Sequence, residues 1–196
     1  MKQFALGPFV GVLVGLLFCS AAVAAGQARN PFGAKEWFLL GGFGQSHPGW
    51  GNTHQKVKTT DIILRQKRPQ TPIRGHGKYR YQRSMLLEIP LHILRSPDEP
   101  PIFGITFNAC WTFVGRKSFQ PYVYAGGGPA FTRASIPGTS SEIRGTYQAG
   151  VGLEMEKNGR KYIIDIRFHH MSNGGIEKPN DSLNSTKLLF GVQLGQ

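Results

Sequence analysis

From Phe103 to Phe113 the side chains alternate without a break. One set reads Phe103, Ile105, Phe107, Ala109, Trp111, Phe113, and the other Gly104, Thr106, Asn108, Cys110, Thr112. A period of two sends successive side chains to opposite faces of a strand and cannot be laid on the 3.6-residue period of a helix. The same period runs over 85–93, 147–155, 160–172 and 188–194, and more weakly over 36–44, 57–65 and 120–131. After residue 30 no helix-period segment stands out. The count is about eight strands of roughly 21 residues each including a connection, which suits a small barrel whose strands cross a membrane. Frequent Gly, Phe and Tyr (26, 13 and 6) fit short strands and turns better than a bundle of helices.

The first residues are of a different kind. Lys2 is the only charge before Arg29, Phe9 to Cys19 is an apolar run, and Ala22 and Ala24 provide a small-residue cleavage pattern. This is the layout of a secretory signal peptide, so 1–24 is expected to be removed and 25–196 to form one barrel domain. Residues 4–25 are also long enough to anchor in a membrane, but no basic stop follows the small residues. Phe18 before Cys19 does not suit lipidation. Cleavage leaves Cys110 as the one cysteine, which excludes an intramolecular disulfide. The full chain carries a net charge of +12, and loss of Lys2 leaves +11. A strongly basic exported protein favours anionic partners, while 40% hydrophobic residues argue against disorder.

Two architectures share this alternation. A soluble exported β protein turns its apolar face inward. A membrane barrel turns that face to lipid and fills its lumen with polar groups. Glu88, His92, Asn108, Gln148, Glu154, Asp165, Arg167 and His169 fall in the polar set, where hydrogen bonds and ion pairs can satisfy them in a narrow lumen. The apolar set is unusually aromatic for a small soluble core. The expectation is an all-β fold, an eight-stranded antiparallel transmembrane β-barrel. Asn158-Gly159 predicts a two-residue hairpin turn, and 132–142 a longer loop at the opposite end. The basic stretch 65–83 reads as a long loop on the short-turn side. Pro90 would need a bulge.

Residues 160–172 read RKYIIDIRFHHMS. Tyr162, Ile164, Ile166, Phe168, His170 and Ser172 form the row expected to face lipid, with Asp165, Arg167 and His169 on the lumen side. His170 and Ser172 are two residues apart on a strand, so they share a side and can approach each other. An imidazole beside a hydroxyl can act as general base and nucleophile on an ester of a bilayer lipid. The alternative is that the strand leaves the hydrocarbon at Phe168 and both groups are interfacial.

The string His170-Met171-Ser172-Asn173-Gly174-Gly175-Ile176, with Pro179-Asn180 and Asn184 downstream, resembles the PagL-like lipid A 3-O-deacylase family. The detailed similarity covers 166–194, and a looser one most of the remaining chain. The resemblance implies an outer-membrane enzyme in a Gram-negative-type cell that hydrolyses an ester-linked acyl chain of lipid A, the lipid part of lipopolysaccharide. It implies His170 as base, Ser172 as nucleophile, and Asn173 with the backbone at Gly175 as oxyanion donors. The family's third member, an acid that orients the histidine, falls at Asn184, with Glu177 and Asp181 as possible substitutes. An asparagine can orient a ring through its carbonyl but cannot stabilise imidazolium by charge.

No metal and no organic cofactor are expected. The six His include no HExxH, and His169 and His170 point to opposite faces. Gly126-Gly127-Gly128 lacks the Lys of a phosphate loop and reads as a kinked strand. The basic stretch lacks a nucleic-acid-binding module, so lipid rather than nucleic acid is the expected partner. The rival functions are a non-catalytic barrel that binds lipid or anionic ligands, and a soluble exported β protein.

Overall fold

A computed structural model describes residues 33–95, 99–116, 118–136 and 138–195. The signal peptide expected over 1–24 lies outside the described residues. Eight antiparallel strands follow one another: β1 (Glu36–Ser46), β2 (Lys58–Pro69), β3 (Tyr81–Leu94), β4 in two pieces (Ile102–Gly104 and Thr106–Phe113), β5 (Phe119–Phe131), β6 (Ile143–Lys157), β7 (Arg160–Ser172) and β8 (Leu183–Gly195). Each pairs with the next in sequence, and β1 pairs with β8. The sheet is therefore closed, leaving no strand edge unpaired in lipid, where backbone groups have no water to turn to.

The alternation decides which side of the wall each residue takes. Phe107, Val151, Ile166 and Phe190 face outward, each at least half exposed. The eight polar residues assigned to the other face are all buried, none more than 5% exposed. The result is an apolar outer wall and a lumen filled with side chains, the arrangement of a membrane barrel rather than a soluble one. At the lumen's centre Arg65 reaches Glu88 Oε1 and Asp165 Oδ2, both at 2.7 Å. Arg167 donates to both oxygens of Glu88 at 2.9 and 3.1 Å, and Tyr122 and Tyr124 donate to Asp165. Gly150 and Gly152 on β6 make room for those two tyrosines, since a Cβ at either would run into the rings. Lys187, Asp61 and His92 form a second polar cluster.

Three details differ from expectation. The lumen is not polar throughout: Phe38, Leu40, Ile63, Leu86 and Ile163 pack together inside it. The basic stretch 65–83 is not one loop. Arg65 to Pro69 belong to β2 and Tyr81 to Arg83 to β3, and the connection is 70–80 only. Arg65 and Lys67 point inward because the period of β2 puts them there, and their charges are matched by Glu88, Asp165 and Glu154. Pro90 marks no bulge. Pairing on its two sides keeps one register, Leu91 opposite Phe103 and Glu88 opposite Thr106. The ladder is interrupted at Ile105 of β4 instead, opposite Pro129, whose carbonyl accepts the Ile105 N–H at 3.1 Å. Neither proline can donate to the ladder, and both lie next to that break.

The turn at Asn158-Gly159 takes φ of 54° and 72°, the left-handed pair that a two-residue hairpin needs. It sets the register of β6 on β7, with Lys157 opposite Arg160 and, at the other end, Tyr147 opposite His170 and Gly145 opposite Ser172.

Candidate active site

β7 carries Phe168, His170 and Ser172 outward to the end of the barrel where the longer loops lie, while His169 turns into the lumen beside His92. One residue of extended chain, Met171, separates His170 from Ser172, and the imidazole closes that gap: Nε2 lies 3.0 Å from Ser172 Oγ. Its other nitrogen, Nδ1, lies 2.7 Å from Oδ1 of Asn184, which β8 places opposite His170.

The orientation of the asparagine is settled by its second end. Asn184 Nδ2 donates to the Trp50 carbonyl at 2.7 Å and to Ser182 Oγ at 3.1 Å. A carbonyl only accepts, so the amide NH2 must face Trp50 and the amide oxygen must face His170. That oxygen accepts the hydrogen on Nδ1, so in the neutral ring Nε2 carries the lone pair and directs it at the serine hydroxyl. The Asn184 backbone N–H is held by Thr53 Oγ1 at 2.9 Å. The loop between β1 and β2 thus supports the asparagine from two sides. Glu177 and Asp181 do not take this position. Glu177 is exposed and meets Asn173 through its backbone carbonyl, and Asp181 faces His54 at 3.8 Å.

Asn173 is buried and its polar atoms are engaged by its own loop and by Ser140 of the β5–β6 connection. Its N–H donates to Asn180 Oδ1 at 3.0 Å, its side-chain NH2 to the Glu177 carbonyl at 2.8 Å, and its Oδ1 accepts the Gly175 N–H at 2.9 Å. Gly174 and Gly175 have φ of 66° and 82°, values that favour glycine and let the chain turn tightly after Ser172. Asn180 lines the site, and with Oδ1 occupied by Asn173 its Nδ2 is the end that remains for a ligand.

An open recess of about 590 Å³ fronts the pair, walled by Trp50, Tyr147 and Phe168 and by Asn180, Ser182 and Asn184. Tyr147 stacks on the His170 ring with centroids 4.2 Å apart and planes 17° off parallel. Gly145, opposite Ser172, carries no side chain that could cover the hydroxyl. The recess thus has an apolar wall continuous with the lipid-facing surface and a polar end at the hydroxyl. Such a site suits a molecule with a long apolar tail and a polar ester junction.

Trp50 and Tyr147 are site residues that no catalytic motif in the sequence marks. The Asn-Gly turn holds the signal for Tyr147, because counting back along the hairpin puts it beside His170. Nothing local signals Trp50.

Residues 76–193 match the family profile described as lipid A 3-O-deacylase (PagL). The crystal structure of the outer membrane enzyme PagL is similar over 81% of this chain and 98% of that one, with 20% identity and a TM-score of 0.52. The crystal structure of Neisserial surface protein A is similar over 83% of this chain and 97% of that one, with 11% identity and a TM-score of 0.59. Among curated protein sequences no relative matches.

Proposed function

This chain belongs to the lipid A 3-O-deacylase (PagL) family, and on that premise we propose that it is an outer-membrane carboxylic ester hydrolase. It removes an ester-linked fatty acyl chain from lipid A of lipopolysaccharide, with Ser172 as nucleophile and His170 as base. The observation that carries this reading is the chain of contacts from Asn184 through His170 to Ser172, at 2.7 and 3.0 Å, on the face of the wall that meets lipid. A polar pair there costs stability as mere surface, but it is well placed to meet the acyl ester of a bilayer lipid.

In the reaction Ser172 Oγ bonds to the ester carbonyl carbon while its proton passes to His170 Nε2. The tetrahedral intermediate collapses, the bond to the sugar oxygen breaks, and Nε2 returns the proton to that oxygen. Water then gives a proton to Nε2 and attacks the acyl-serine, and the fatty acid leaves as Ser172 regains its hydrogen. Asn184 is a positioning residue: it holds the ring tautomer without contributing charge. For the oxyanion we propose Asn180 Nδ2 together with the amides of the loop that Asn173 braces. The expected donor Gly175 would have to exchange its bond to Asn173 for one to the substrate. No step calls for a metal or an organic cofactor.

The test is mass spectrometry of purified lipopolysaccharide incubated with the folded protein in detergent. The expected result is lipid A lighter by one acyl chain and release of the matching fatty acid. A correctly folded barrel that leaves lipid A and simpler lipid esters unchanged would favour a non-catalytic, lipid-binding barrel. Asn184→Ala is expected to lower kcat by about one to two orders of magnitude, the scale of a misplaced catalytic group, with KM little changed. An unaltered kcat would remove Asn184 from the site.

A further inference from the structure

The rim at the opposite end, which holds the Asn158-Gly159 turn, takes no part in that chemistry, yet it concentrates charge. Arg68, Arg74, Lys78, Arg80 and Arg83 are exposed there on β2, β3 and their connection, and Arg116 joins them from the β4–β5 connection. Lys157 and Arg160 flank the turn and are exposed as well. The inward acids at this end are already matched, Glu154 by Lys67 and Glu36 by Lys161. Among the described residues that leaves Glu156 as the acid exposed beside these cations. The loop end is more evenly balanced: Arg133 pairs with Glu142 and His54 with Asp181, and Glu99 and Glu177 stand there with Lys56, Lys58, Arg95 and Lys178.

This rim is ordered rather than a loose basic loop. Arg74 and Tyr81 exchange backbone hydrogen bonds at 2.8 Å, and the Val114 N–H donates to the Arg80 carbonyl at 2.8 Å. A Cβ at Gly115 would come within 2.7 Å of the Lys78 backbone, so the two connections pack chain against chain. The cations also stand at the border of the apolar wall. The Arg83 guanidinium lies 5.8 Å from the Trp111 ring centre and that of Arg116 4.8 Å from the Phe119 ring centre. Arginine stacked on an interfacial aromatic holds its charge at headgroup depth, with its stem along the apolar surface.

We propose that this rim is a binding surface for the phosphate groups of anionic phospholipids in the leaflet opposite the one that holds the acyl-ester site. A ring of fixed cations just outside the hydrocarbon attracts anionic lipid, and each basic residue adds to the attraction. The occupant is a lipid rather than a soluble anion because the same side chains that supply charge also border the lipid-facing wall. The inference uses the membrane-spanning barrel and does not depend on turnover.

The probe is phosphatidylglycerol in nanodiscs with a phosphatidylcholine background, with lipids retained by the full barrel counted by native mass spectrometry. Wild type is expected to retain phosphatidylglycerol preferentially, less so as salt rises. The combined variant Arg74→Gln, Lys78→Gln, Arg80→Gln and Arg83→Gln is expected to lose the preference by about tenfold or more. Heat-modifiable migration on gels shows whether the variant folds. Lys56→Gln with Arg133→Gln, at the other rim, is expected to leave the preference intact and serves as a charge-loss control. Inorganic phosphate at the lipid's concentration is expected not to displace it. Absence of a preference in wild type, equal loss in both variants, or displacement by inorganic phosphate or a short single-stranded DNA would each overturn the proposal. Deacylation in detergent is read separately, so inactive protein with intact lipid preference would refute the enzyme reading alone.

Discussion

Ser172→Ala is expected to reduce acyl release from purified lipid A by roughly 10⁴- to 10⁶-fold, the range seen when a serine hydrolase loses its nucleophile. His170→Ala is expected to fall as far, and the double variant little further, because the two act as a unit. The reason is geometric. His170 Nε2 stands 3.0 Å from Ser172 Oγ, and the ring is held from behind by Asn184 and from the side by Tyr147. Among the described residues of the recess, the other serine, Ser182, turns its Oγ to Asn184 Nδ2 instead of to the imidazole. Both variants should keep wild-type unfolding behaviour, since both side chains are outward and only half-buried. Full activity of Ser172→Ala in a detergent assay with fatty acid release as the readout would remove Ser172 as nucleophile.

Glu88→Ala is expected to destabilise the barrel by about 3–5 kcal/mol, read as a lower urea midpoint in detergent micelles. Glu88 is fully buried and accepts from Arg65, Arg167, Gln148 and Thr106. Its loss leaves two buried guanidiniums to share Asp165, with desolvated charge that nothing else in the lumen offsets. A paired change, Glu88→Gln with Arg167→Met, removes one charge of each sign and is expected to recover most of the loss. An unchanged midpoint for Glu88→Ala would mean that water or neighbouring groups already screen the lumen.

The legible part of this fold is the local part. The alternation assigned Phe107, Val151 and Phe190 to the wall, and Glu88, Asp165 and Arg167 to the interior, because a strand's period sorts side chains whatever lies beyond it. It also put His170 and Ser172 on one side of β7. The period alone does not place a residue where sorting needs a boundary. In 65–83 the density of cations hid the continuation of β2, since Arg65 and Lys67 look like loop residues until Glu88, Asp165 and Glu154 are seen opposite them. Phe38, Leu40 and Ile63 are ambiguous in the sequence because an apolar residue is at home on either face of such a wall, and only the closed barrel shows which face it takes.

The site divides in the same way. An imidazole and a hydroxyl on one face of one strand, and the hairpin that brings Tyr147 beside them, follow from chain-local geometry: a period of two, and a two-residue turn that Asn-Gly favours. The Trp50 carbonyl that orients Asn184 comes from a loop more than a hundred residues away. It could be known only once β8 had closed against β1, because backbone carbonyls leave no mark in a sequence, and which distant segments meet is set by how the sheet closes on itself.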